Sequence, residues 1–74
     1  MRRRAVNSSV IRTLGYDDRS KVLEVEFHTN RIYQYFGVPL AVYDDLLNAP
    51  SIGEFYNRQI RNEYDFLEIT KQRS

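Results

Sequence analysis

Few side chains in this sequence are equipped for covalent or acid–base chemistry. A single His28, the pair Ser8-Ser9 and ten scattered carboxylates make up the inventory, and there is no cysteine. Neither serine sits in a nucleophile elbow, and His28, at the end of an extended run beside Arg31, is expected to be a solvated imidazole. Glu24 and Glu26 fall on one face of an alternating segment, where two carboxylates are more often solvated or paired with Arg12 or Arg31 than catalytic. One histidine with dispersed acids shows no metal-binding loop. Gly15, Gly37 and Gly53 stand apart, so no phosphate-cradling loop is formed. The residues therefore point to a non-catalytic protein without cofactor or metal.

Two constellations remain. Tyr33 and Tyr35 alternate along one extended segment, and their meaning depends on register. With a two-residue turn before them they share a face with Glu24, Glu26 and His28, open to solvent, where each ring can stack a nucleobase for about 1–3 kcal/mol. With a three-residue loop, parity flips and they join Leu23, Val25 and Phe27 in the core, leaving Gln34 outside and exposing Ile32 and Phe36. Asn30 suits the left-handed position of the longer loop, which favours the buried register. The second constellation is Asn57, Arg58 and Arg61. Three residues apart on a helix, the two arginines are expected to fall together as an exposed basic pair. They are able to grip a phosphate or carboxylate, or to pair with Glu54, Asp65 or a sheet carboxylate at the surface.

The elements that position these residues follow from periodicity. Segment 9–17 is rich in Val, Ile, Thr and Tyr and closes on a polar turn at Asp17-Asp18-Arg19-Ser20. Next, KVLEVEFH sets Leu23, Val25 and Phe27 against Glu24, Glu26 and His28, a period of two. The run IYQYFGV is again extended and stops at Gly37 and Pro39. The period then lengthens. Pro39 opens a helix with apolar Val42, Tyr43, Leu46 and Leu47, and Pro50 ends it. Ser51 followed by Glu54 is a capping-box signature for a second helix whose stripe is Ile52, Phe55, Tyr56 and Ile60. Segment 66–69 is a weaker candidate for a fourth strand at a sheet edge. The expected fold is α+β: a three- to four-stranded antiparallel sheet, a β-meander, with two short helices packed on one face.

Seventy-four residues suffice for one small domain, and without disulfides its core must hold by packing, which claims most of the ten aromatic rings. The domain is expected over residues 8–69, with a basic N-terminal tail at 1–7 and a fraying C-terminal tail at 70–74. The formal charge of +1 is uneven, because Arg2, Arg3, Arg4, Lys71 and Arg73 lie near the ends. Between Ala5 and Thr70 six basic residues face ten acidic ones, a charge of −4. Affinity for nucleic acid must therefore come from a local patch or from the ends. No apolar stretch follows the three arginines and no window is long enough to span a membrane, so a cytoplasmic protein is expected.

Taken together, SSVIRTLGYD, LEVEF, YQYFGVP with its Tyr-x-Tyr centre, and FYNRQIR resemble the KTSC domain, a family named for the C-terminus of some lysyl-tRNA synthetases. The resemblance runs from about Ser8 to Tyr64. It implies kinship with the small free-standing bacterial and phage members, and it suggests RNA association from the synthetase context. The turn at Thr29-Asn30-Arg31 departs from the Gly-rich turn common in the family. The leading expectation is an RNA-associated binding module using Arg58, Arg61, Asn57 and, where exposed, Tyr33 and Tyr35. The alternative is a protein–protein interaction module, monomeric or weakly homodimeric, acting through a sheet edge or aromatic face.

Overall fold

The structure, a computed structural model, describes residues 3–69. Five strands and two helices follow in the order β1 (Arg3–Ala5), β2 (Ile11–Asp17), β3 (Val22–Phe27), β4 (Ile32–Phe36), α1 (Leu40–Asn48), α2 (Ile52–Gln59) and β5 (Phe66–Ile69). The strands form one antiparallel sheet in the order β1-β2-β3-β4-β5, so each pairs with its successor. The α+β meander with two short helices is thus as expected, with one strand more at the N-terminal end.

That extra strand corrects the reading of residues 1–7 as a tail. Arg3–Ala5 pairs with Gly15, Leu14 and Thr13 of β2. All three residues of β1 are exposed, which is why hydrophobic alternation gave no sign of it. It is held by ladder hydrogen bonds and by Arg3, whose guanidinium lies 3.2 Å from Glu24 and 3.6 Å from Glu26. Arg3 and Arg4 therefore belong to the folded body, and the charge over residues 3–69, eight basic against ten acidic, is −2. The segment 70–74, read as a fraying tail, lies outside the described residues.

The β3–β4 hairpin sets the side-chain parity of the sheet. Phe27 N–H donates to the Arg31 carbonyl at 2.9 Å and Asn30 N–H to the Phe27 carbonyl at 3.0 Å, enclosing His28, Thr29 and Asn30. Asn30 has φ of 70°, the left-handed value that closes a three-residue loop. With this loop Leu23 faces Tyr35 and Val25 faces Tyr33, so both tyrosines point to the helix-covered side. Gln34 is on the other face, donating to Glu24 at 3.0 Å. Phe36 is exposed as that register requires, at 39%. Ile32 is not: it is 5% exposed, because β5 brings Ile69 against it on one side while Glu26 flanks it on the other.

Ile11, Leu14, Leu23, Val25 and Tyr35 from the sheet meet Val38, Leu46, Tyr56 and Ile60 to form the core. Leu46 is the fully buried residue of α1, and Val42, Tyr43 and Leu47 pack around it from the same stripe. α2 starts as its capping signature demands: the Ser51 hydroxyl accepts from Glu54 N–H at 3.3 Å. No helix of the described residues is long and apolar enough to cross a membrane.

Candidate functional site

A groove of about 710 Å³ opens between the far end of the β3–β4 hairpin, the C-terminal turn of α2 and the start of β5. Its floor is aromatic. Tyr33 stacks on Phe66 with ring centroids 5.3 Å apart and planes 13° from parallel, and Phe27 meets Tyr33 edge to face at 5.5 Å. Tyr35 lies 5.6 Å from Phe66 and 5.8 Å from Tyr56, and Phe27 is 5.3 Å from Tyr56. Offset and edge-to-face contacts of this kind each add about 0.5–1.5 kcal/mol beyond area burial, so the floor is a rigid assembly.

Depth distinguishes these rings. Tyr35 is 1% exposed and Tyr56 6%, whereas Tyr33 is half-buried and Phe66 is 53% exposed. The hydroxyls of Tyr35 and Tyr56 share a hydrogen bond beneath the groove. Burial raises the pKa of both phenols, and the positive charge of Arg61 works against that rise at each of them. Both are neutral at physiological pH. A buried ring cannot accept a base on its face, so the picture of Tyr33 and Tyr35 as a two-ring stacking platform is replaced. The most exposed ring of the groove is Phe66, stacked on Tyr33.

The rim is polar and carries no carboxylate. Asn57, Arg61 and Asn62 border the groove from the α2 side, and His28, Thr29 and Arg31 from the hairpin side. Arg31 Nη1 is 3.3 Å from Glu68, so its charge is largely matched. The Arg61 side chain makes no hydrogen bond or ion pair among the described residues and keeps its five guanidinium donors. His28 Nε2–H donates to the Ser8 carbonyl at 2.8 Å, while the Ser8 hydroxyl accepts from the N–H groups of Val10 and Ile11. Imidazole and hydroxyl are each occupied with backbone and not with one another. Among the described residues no group of three or more His, Cys, Asp or Glu gathers as a metal site.

Of the residues singled out from sequence, Tyr33, Tyr35, Asn57 and Arg61 line this one groove. Arg58 does not. It borders a smaller hollow with Ser51, Glu54 and Phe55. The expected Arg58–Arg61 pair fails because α2 ends at Gln59: Ile60 turns to φ of −122°, and the Arg61 N–H reaches back to the Tyr56 carbonyl at 2.9 Å. Helical spacing no longer applies past that point, and Arg61 swings toward the sheet. Phe66 and Asn62 were not anticipated. Their signal was an aromatic residue in a weak edge strand, which gains meaning only once β5 is placed beside β4.

A family model described as the KTSC domain matches residues 7–64. A protein of Stutzerimonas stutzeri is 41% identical over 64 residues, covering 86% of this chain and 90% of that protein. A lysine–tRNA ligase of Nostoc punctiforme is 37% identical over 62 residues; the match takes in 84% of this chain and spans only 11% of the ligase. Among solved structures, the crystal structure of a KTSC domain protein from Yersinia pestis superposes with a TM-score of 0.91 at 33% identity, covering 93% of this chain and 97% of that one.

Proposed function

The chain belongs to the KTSC domain family, and on that footing we propose that it is a small non-catalytic binding module whose aromatic groove takes single-stranded RNA. The observation that carries this reading is the exposed Phe66 ring, stacked on Tyr33, beside an Arg61 that has no counter-charge among the described residues. An aromatic face with an adjacent guanidinium supplies the two contacts that unpaired nucleotides offer, a stacking surface and a phosphate. The absence of carboxylates from the groove lining gives a local positive site on a body of opposite net charge. Similarity to a segment of lysine–tRNA ligases adds context, since tRNA is in the name of those enzymes.

The test is fluorescence anisotropy with a labelled single-stranded RNA at low salt. Binding is expected, with Phe66→Ala weakening it by about 1–3 kcal/mol. Arg61→Ala should weaken it comparably, and Arg58→Ala should leave it nearly unchanged. Absence of RNA binding at low salt rejects the reading.

A second reading rests on a different observation. β5 borders no further strand among the described residues, and Leu67, 58% exposed, stands with Phe36 on the face away from the helices. An open edge next to apolar side chains suits strand addition by a protein partner or a second copy of the chain. Sedimentation over a range of concentrations tests the homodimer, and such binding should respond little to salt.

A further inference from the structure

Resting on the RNA reading, the number of contacts in the groove limits how much RNA it is able to hold. Among the described residues the most exposed ring of the groove is Phe66; Tyr35 and Tyr56 are buried, and Tyr33 and Phe27 are partly buried within the stack. Among the described residues one rim cation is unmatched, since Arg31 is paired with Glu68 while the Arg61 side chain has no ion pair. Beyond the groove the chain turns acidic. Glu63 and Asp65 precede Phe66, both exposed, and Glu68 follows it on the same side of β5. A strand running on past the groove toward the α2–β5 connection would bring further phosphates against Glu63 and Asp65, which repel them, while along β5 Arg31 is already engaged by Glu68.

We infer that the groove is a one-nucleotide site, taking a single unpaired base with one phosphate, as found at a strand end or in a bulge, and not an extended run of single strand. The base lies on Phe66 and the phosphate on Arg61, with the Asn57 and Asn62 amides on the rim available to the base edge.

Binding of fluorescent oligoadenylates of three and twelve nucleotides to the intact protein, between about 20 and 200 mM salt, decides the matter. Each phosphate contact in a single strand contributes a slope of about −0.7 in log K against log salt. A one-nucleotide site predicts a slope near that value for both lengths. It also predicts a per-nucleotide affinity that does not change with length, and a slope close to zero for Arg61→Ala. A dodecamer slope several times steeper, with per-nucleotide affinity rising more than tenfold over the trimer, overturns the one-nucleotide site and leaves the RNA reading standing. No binding of either oligomer overturns both. Because Arg61 and Phe66 are exposed, Arg61→Ala and Phe66→Ala are expected to keep the native circular dichroism spectrum, so a lost slope reports on the contact itself.

Discussion

Tyr35 of β4 and Tyr56 of α2 join their hydroxyls in a hydrogen bond across the sheet–helix interface, with ring planes at 75° and both side chains almost wholly out of water. The bond satisfies two polar atoms that the core otherwise has no means to solvate. Removing one hydroxyl strands the other, a penalty of about 1–3 kcal/mol. Tyr35→Phe and Tyr56→Phe should each destabilise by that order in urea titrations, and the double variant should be no worse than either. A double variant that loses the sum of the two single effects contradicts the pairing.

The same pair makes stability sensitive to alkali. Both phenols are raised above their ordinary value, chiefly by burial. The unfolded chain releases these protons near pH 10 and the folded chain only at higher pH. The stability they contribute is therefore fully present below about pH 10 and is lost as pH climbs through the folded values. Urea midpoints measured from pH 8 to 11.5 should fall more steeply for the native sequence than for Tyr35→Phe/Tyr56→Phe. Parallel profiles would count against it.

Much of this architecture was legible in the sequence, and where it was not the reasons are local. Alternation located β2, β3 and β4, and the left-handed tendency of Asn30 identified the loop that turns Tyr33 and Tyr35 inward. β1 escaped notice because a strand bound through its backbone and one arginine needs no hydrophobic pattern. Arg58 and Arg61 looked like neighbours because helical spacing was extended past Gln59, where the helix stops. Phe66 was invisible as a groove residue because its partner Tyr35 lies on the far side of two helices in the sequence.

Asn30 should tolerate few replacements. At φ of 70° a β-branched side chain is unfavourable by about 1–2 kcal/mol, and the 3.0 Å bond from Arg12 to its side-chain oxygen is lost as well. Asn30→Val is expected to lower the urea midpoint accordingly and to broaden the Tyr33 and Tyr35 resonances through loosening of the hairpin. An unchanged midpoint would show that the loop is free to adopt another turn.

Arg3 should matter to β1 more than to the whole domain. Its contacts with Glu24 and Glu26 are partly solvated, and Glu26 retains Thr13 at 3.0 Å and Arg12 at 3.7 Å without it. Arg3→Ala is expected to change global stability by less than about 1 kcal/mol. The amides of Arg3–Ala5 should exchange markedly faster with solvent in the variant. Protection equal to that of the native chain would mean the backbone ladder alone secures the strand.

The core distinguishes two leucines of α1. Leu46 is 0% exposed and Leu40 is 43% exposed. Leu46→Ala should cost about 2–5 kcal/mol, a large share of what a domain this small possesses, while Leu40→Ala should stay within about 0.5 kcal/mol. Similar effects at both positions, read by thermal or urea denaturation, would refute this placement of the helix.

The order of the strands also governs when the groove comes into being. β1 to β4 are linked by short turns, so their pairings close early, but β5 reaches β4 only after Gly37–Asp65 has wound through both helices. Long closures are slow, which makes the Tyr33–Phe66 stack among the last contacts to assemble. A nascent or partly folded chain thus has no groove to offer. A molecule that occupies it fastens the final strand to the first-formed hairpin, so occupancy should retard unfolding of the entire domain and not merely quiet a local flap.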